Sequence, residues 1–365
     1  MNQRLLSLDT LRGFDMLFIM GGDAFFLCLG ALLPGTIFAD FAQQMEHKVW
    51  EGFALYDLIF PLFLFIAGVS FPFSLAKSRS VGESETKTML RILRRGLTLV
   101  VLGMVYNGLL SFDFENLRVA SVLGRIGLAW MVAAFIYMRC SRRVSVVIAL
   151  VILWGYHALL TLVSAPDAAG AASLSMEGSI VGYVDRLLLP GKLHLGIHDP
   201  EGILSTLPAV VTALLGIFTG DFIRTFQRWN GHKKAALLIG IGLTLIALGY
   251  AWDIWFPINK NLWTSSFVCV AGGYSMALFA VFYWVIDVME WRKWTFFFRI
   301  IGLNSITIYL AQHFLDFSKP IKTIFGGGLS LLPESGYALG YWTCYIALCW
   351  LLLYFLYRQK IFLKV

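Results

Sequence analysis

The chain has 365 residues, of which 58% are hydrophobic and 14% charged, and its mean hydropathy is +0.74. That balance excludes a soluble domain built around one apolar core and describes a polytopic helical membrane protein. The net charge of +7 calls for no nucleic-acid partner, because basic residues placed by membrane topology against an anionic inner leaflet account for it.

Apolar stretches long enough to span a bilayer recur about ten times, near 14–33, 55–76, 96–112, 121–138, 144–163, 203–223, 235–255, 263–287, 296–316 and 337–357. Strand-type alternation is absent. The expected fold is therefore all-α: a polytopic transmembrane helical bundle of about 10 spans, forming a single domain over 1–365. With the N-terminus cytoplasmic, the basic clusters at 77–95, 139–143, 224–234, 292–299 and after 357 all fall on the inner side, together with Arg4 and Arg12. Only Lys48, Arg118, Arg125, Arg186, Lys192, Lys260, Lys319 and Lys322 fall outside or near an outer helix end, so both termini are placed in the cytoplasm. The cysteines (Cys28, Cys140, Cys269, Cys344, Cys349) form no C-x-x-C pair and signal neither a disulfide framework nor a zinc site. Asp9, Arg12 and Asp15 interrupt the start and the first apolar run is long enough to remain as a span, so no cleavable signal peptide is expected.

The polar residues then follow in chain order. Asp9 and Arg12 share a helical face and can pair, and Asp23 lies deep enough in the first span to face a polar cavity rather than lipid. His47, Trp50, Glu51, Gly52 and Asp57 directly precede a run, Leu58 to Ala76, that carries no charge. An ionisable group at the edge of a hydrocarbon layer is costly enough to imply a task, although a loop histidine is also an ordinary solvated residue. The basic loop 77–95 ends in Arg94 and Arg95. Topology alone explains such a collar, and it would also suit the phosphates of a nucleotide-type cosubstrate. Arg125 lies inside an apolar helix and needs a carboxylate, a carbonyl or an anionic ligand. In the longest outer loop, 164–201, His194, His198, Asp199 and Glu201 crowd together, but their spacing lacks the helical pattern that would support a metal site, and none is assigned. Asn259 and Asn261 beside Trp263 can orient a polar ligand or belong to an interfacial belt. Asn304 is either a bond between helices or a ligand contact.

These separate stretches together resemble one family. Ser7-x-Asp9-Thr10-x-Arg12-Gly13, His47-x-x-Trp50-x-Gly52, Asp57-Leu58-x-x-Pro61, Arg125-Ile126-Gly127, Asp199-Pro200-Glu201-Gly202, Asn259-Lys260-Asn261-Leu262-Trp263 and Gly302-x-Asn304-Ser305 resemble, in order, the heparan-α-glucosaminide N-acetyltransferase family, whose bacterial relatives are associated with N-acetylglucosamine use. The resemblance implies acetyl-CoA bound from the cytoplasmic side as cosubstrate and acetyl transfer to the amine of a glucosamine-type sugar or glycan on the far side. It maps the essential histidine onto His47, a pocket arginine onto Arg125 and the G-x-N-S asparagine onto Asn304. One departure is Asp23, which stands where lysosomal members carry asparagine. The residues around Gln312 and His313 also depart from the polar pattern at the end of that span, so His313 inherits no role.

The residue chemistry agrees with this implication. Acyl transfer from a thioester needs an ammonium deprotonated, the amine positioned and an oxyanion stabilised. His47 can serve as general base or as an acyl-carrying nucleophile. Arg125 or Asn304 could stabilise the thioester oxygen, while Asp23, Asp57, Glu201 and Asn261 could hold the amine or orient His47. Arg12, Arg94 and Arg95 are the candidates for the cosubstrate's phosphates. A sugar permease is the alternative, because Gly- and Pro-interrupted spans with buried charges also describe carriers, although no internal repeat is evident. The partners expected are an acceptor glycan and the lipid bilayer, with homodimerisation left open. The lack of a large luminal domain or long N-terminal extension leads us to expect a bacterial inner membrane.

Overall fold

Several helices of this chain begin where a short polar side chain takes up a free amide. Ser84, Ser121, Ser141, Ser179, Asn230 and Thr264 each accept a backbone N–H at the start of a helix. A computed structural model describes residues 5–363. Arg4 and Lys364, counted above among the inner-side cations, lie outside the described residues.

In chain order the helices are α1 (Leu6–Leu17), α2 (Asp23–Leu32), α3 (Ile37–Gln43), α4 (Ile59–Ser80), α5 (Glu85–Tyr106), α6 (Val122–Arg139), α7 (Arg142–Leu162) and α8 (Ile180–Leu188). They continue with α9 (Ile203–Thr225), α10 (Gly231–Asp253), α11 (Ser265–Phe282), α12 (Thr295–Leu303), α13 (Ser305–Phe314), α14 (Ser318–Leu329) and α15 (Glu334–Arg358). A π-helical turn, Phe18–Gly22, joins α1 to α2, and Gly21 within it has φ 102°. Among the described residues there is no strand, only isolated bridges between Arg118 and Gly191 and between Ser164 and Ser179.

The all-helical expectation holds, and most of the expected spans are found as long apolar helices. Eight helical stretches are long and apolar enough to cross a membrane: Leu6–Leu32, Leu55–Ser80, Val122–Arg139, Arg142–Leu162, Ile203–Thr225, Gly231–Asp253, Ser265–Val288 and Glu334–Arg358. The other two expected spans fall short for different reasons. Helix α5 carries Lys87, Arg91, Arg94 and Arg95, so its uncharged part, from Gly96, covers only about 16 Å, roughly half a hydrocarbon core. The segment near 296–316 is helical but broken at Asn304 into α12 and α13.

Helices α4, α6, α9 and α11 supply most of the main apolar core, and α9 touches each of the other three. Close approach is possible because the crossings are glycine-lined. A Cβ on Gly68 would lie 2.3 Å from Ala213 O, one on Gly216 2.1 Å from Phe65 O and one on Gly220 2.2 Å from Val69 O, so the α4 and α9 backbones meet directly, as small residues allow inside a bilayer. A second core joins the end of α1 to α12, α13 and α15 through Met16, Met20, Ile300, Ile308 and Leu353. Only 11% of α15's apolar stretch is covered by protein against 72% for the α4 stretch, so α15 is a rim helix and α4 a central one.

Overpacking a backbone crossing costs about 1–3 kcal/mol. Gly216→Leu should therefore destabilise the detergent-solubilised protein by that much or more, read as a lowered thermal transition. Gly240→Leu, whose added Cβ meets nothing within 4 Å, should leave it within about 0.5 kcal/mol; equal shifts in the two variants would contradict this packing.

Candidate active site

The site forms where the chain enters α4. A single-turn 3₁₀ helix, Leu55–Leu58, precedes it, and Asp57 in that turn has no exposed surface. A buried carboxylate requires donors, and Asp57 collects them from three directions. Its Oδ2 accepts the Ala54 amide at 3.0 Å and the Lys48 amide at 3.5 Å, and its Oδ1 accepts His47 Nδ1–H at 2.7 Å. Because the carboxylate can only accept, Nδ1 of His47 is the donor in this bond, and Nε2 is the ring nitrogen not engaged by Asp57. The His47 side chain is 50% exposed. The loop carrying it is closed by Gln44, which accepts the Leu55 amide through Oε1 and the Tyr56 amide through its backbone carbonyl.

Around this pair the other expected residues arrive unequally. Tyr56 packs its ring 4.6 Å from His47 and engages the Asp23 carboxylate through its hydroxyl, so Asp23, in the first turn after the π-helical break, joins the site through Tyr56. Asn261 donates Nδ2–H to Val49 O at 3.0 Å, and its own carbonyl accepts from His198 Nε2 at 3.1 Å. Trp50 donates to Leu174 O and the Gly52 amide to Ile258 O. The 47–52 segment is thereby fastened both to the loop before α8 and to the loop before α11. Glu201 pairs with Arg118, which also holds Asp199 through two bonds.

Arg125, 2% exposed, finds a carbonyl rather than a carboxylate. Its Nη2 donates to Pro200 O and Ser205 Oγ, its guanidinium stands 4.9 Å from the Trp263 ring centre, and its Nε and Nη1 have no hydrogen-bond partner in the protein. Trp263 itself has φ 53°, an uncommon conformation for a bulky side chain and one that requires support. Support comes from a self-bonded turn in which the Leu262 amide donates to Asn259 Oδ1, the Asn259 amide to Thr264 Oγ1 and the Trp263 amide to Lys260 O.

That turn delivers a residue that had no assigned role. Lys260 Nζ stands 2.9 Å from Nδ1 and 3.2 Å from Nε2 of His47, and 3.4 Å from Asp57 Oδ1. Burial holds this ammonium below the ordinary lysine value, with Asp57 and Glu201 acting against the shift. The motif Asn259-Lys260-Asn261 was visible in sequence, but nothing in it says which side chain turns to the histidine.

Four of the expected residues lie elsewhere. Asn304 is turned to the C-terminal segment: its Nδ2 donates to Ile361 O at 3.0 Å and its Oδ1 accepts the Leu363 amide at 3.3 Å. Arg94 faces outward, whereas Arg95 stands 4.5 Å over the Trp130 ring and within charge range of Arg12. Arg12 pairs with Asp9 at 3.7 Å. Arg95 and Trp130 line a cleft with Ser70, Ser74, Ser78, Thr88 and Arg91 at the opposite end of α4 from Asp57. Of the histidines before α9, His198 is pushed down to about 4 by burial and its Nε2–H is committed to Asn261, while Asp199 is committed to Arg118.

The Arg118 pair gives a pH prediction. Burial raises the Asp199 carboxyl, but the bond to Arg118 reverses this and holds it below its ordinary value. A carboxyl whose folded value is depressed contributes stability above its unfolded value, about 3.9, and loses it as pH falls through the folded one. Arg118→Met leaves buried carboxylates unpaired and should cost about 3–5 kcal/mol at pH 7. Without Arg118, burial alone acts on Asp199 and raises its carboxyl, so the variant recovers stability as it takes up protons: the gap from wild type in thermal unfolding should be widest near pH 7 and narrow steadily as pH falls toward about 4, and a gap that does not change with pH would contradict this account.

A family model described as a domain of unknown function (DUF5009) matches residues 4–112, the part carrying Asp23, His47 and Asp57. The chain is 26% identical to the human heparan-alpha-glucosaminide N-acetyltransferase over an alignment covering 99% of this chain and 60% of that protein. It is 27% identical to the mouse protein of the same name, with 88% of this chain and 56% of that protein covered. The chain thus spans less than two thirds of the length of these relatives. Matched along nearly all of its sequence, this chain has heparan-alpha-glucosaminide N-acetyltransferases as its curated homologues.

Proposed function

We propose that this chain is a transmembrane acetyltransferase that moves the acetyl group of cytoplasmic acetyl-CoA to the amine of a glucosamine-type sugar or glycan on the outer face. The observation that carries the reading is the His47 and Asp57 pair, a half-exposed imidazole whose proton-bearing nitrogen is held by a carboxylate with no exposed surface. Such a pair presents a lone pair of fixed direction to solvent, which general-base or nucleophilic chemistry requires. The relatives' name supports the reaction class.

In this reading Nε2 of His47 takes the proton from the acceptor ammonium, or attacks the thioester carbonyl itself and carries the acetyl group. Either way a bond to carbon forms as the C–S bond breaks, and the departing thiolate takes up a proton. Arg125, with two N–H groups unpartnered in the protein, is the candidate for stabilising the carbonyl oxygen as charge develops. Asp23 and Glu201 supply negative charge for a cationic amine. At the other end of α4, Ser70, Ser74 and Ser78 repeat every fourth residue and line the cleft with Arg91 and Arg95, one polar helix face that reaches the middle of the helix. From Ser70 to Asp57 is ~20 Å along the helix, a span suited to an extended pantetheine arm with its phosphates at Arg91, Arg95 and Arg12. Basic residues at that end agree with a cytoplasmic orientation, with both termini on the same side, and the membrane proposed is the bacterial inner membrane.

The test uses purified protein, radiolabelled acetyl-CoA and a panel of glucosamine acceptors. Wild type should form labelled acetyl-amino sugar, and His47→Ala should be slower by about 10²–10⁴-fold. Acid-labile label on the protein without acceptor would identify the acyl-histidine route, and its absence during active turnover the general-base route. Counterflow of unmodified sugar in proteoliposomes with no acetyl transfer would overturn the proposal in favour of a carrier.

A further inference from the structure

Lys260 approaches His47 in a geometry that ordinary hydrogen bonding does not explain. Its Nζ is 2.9 Å from one ring nitrogen and 3.2 Å from the other. A point in the ring plane at those distances from both nitrogens would overlap a ring carbon, so the ammonium stands over the face of the imidazole. There it cannot donate along the lone pair of Nε2 and acts on the ring as a charge. A cation over the face of a neutral aromatic ring is tolerated or attracted, whereas over an imidazolium it is repelled. Lys260 does not drift away, because Asp57 Oδ1 lies 3.4 Å from it and the Asn259–Thr264 turn fixes its backbone.

The other charges and titratable groups around His47 do not duplicate this effect. From the start of α4, Asp57 faces Nδ1 and Tyr56 faces the ring; Asp23 of α2 stands behind Tyr56. Glu46 and Lys48, its chain neighbours, are exposed. Glu201 and Arg125 act on Lys260 with opposite signs. One carboxylate, Asp57, therefore touches both basic groups, and Glu201, which also favours the charged Lys260, is itself paired with Arg118.

We propose that Lys260 is a positioning residue that keeps His47 in its neutral, acceptor form, the pair holding one excess proton on the lysine. This rests on the reading of His47 as the group that takes the proton or the acetyl group. Its consequence is that a proton gained by His47 during turnover is expelled toward solvent rather than retained.

The proposal is tested on the full chain with two readouts. Carbethoxylation of His47, followed by mass spectrometry across pH, reports the neutral imidazole whether or not any transfer is observed. A unit charge about 3 Å away contributes on the order of one pH unit even at the dielectric constant of water, so in Lys260→Met the acid limb of the modification profile should move to higher pH by about one unit or more. Lys260→Arg should restore it. The acid limb of kcat/KM should move in the same direction and by the same amount. A lower rate in Lys260→Met with an unmoved modification limb would overturn the proposal and leave Lys260 a purely structural residue. Lys260→Gln serves the same comparison should the methionine variant not purify as a monodisperse protein. If wild type transfers no acetyl group while its carbethoxylation limb still depends on Lys260, the transferase reading fails and the coupling of the two residues stands.

Discussion

A carboxylate with no exposed surface at the head of a membrane-length helix has to be satisfied where it stands, and much of the site geometry follows from how Asp57 achieves this. Water is scarce at that depth and an unpaired charge is costly, so the chain brings the Ala54 and Lys48 amides, the His47 ring and the Lys260 ammonium to its two oxygens. Each donor belongs to a segment that would otherwise be a free loop. Satisfying one side chain therefore fixes the approach to α4, the 47–52 segment and the turn before α11 relative to one another. The catalytic geometry proposed for His47 is a consequence of that electrostatic requirement.

The helices beneath hold this arrangement rigidly. Backbone contact at Gly68, Gly216 and Gly220 locks α4 to α9, and α9 begins directly after the Asp199-Pro200-Glu201-Gly202 stretch that engages Arg118 and Arg125. Interruptions of regular helix lie around this rigid centre. The π-helical turn at Phe18–Gly22 comes just before Asp23, and at the break between α12 and α13 the Asn304 side chain holds the C-terminal segment. The Asn304 side-chain amide is spent on Ile361 and Leu363.

How legible the site was varied with the kind of information each residue needed. His47 and Asp57 could be picked out because both precede an uncharged run, a local pattern whose energetic meaning does not depend on the fold. Arg125 was legible as a buried cation, but its partners, Pro200 and Ser205, were not. Arg94 and Arg95 are adjacent in sequence and looked equivalent, yet neighbours on a helix point about 100° apart, and only packing decides which one meets Trp130. Asn304 was read as a possible ligand contact, since an asparagine in an apolar helix carries the same composition signal whether it binds a substrate or its own chain. The two expected spans near 96–112 and 296–316 were read from hydropathy, which averages over a break at one residue and over charges crowded at one end of α5.

Composition, hydropathy and the distribution of Lys and Arg determined that this chain is a helical membrane protein, because the cost of placing polar groups in hydrocarbon acts on every segment independently of its neighbours. The ordered motifs determined which residues to ask about. Only the tertiary structure decided which of them meet: Lys260 lies 213 positions from His47, and their contact depends on how the Asn259–Thr264 turn folds upon itself and where α11 packs against α9 and α4. Such a contact depends on the three-dimensional arrangement of many segments at once, and no property of a single segment encodes it.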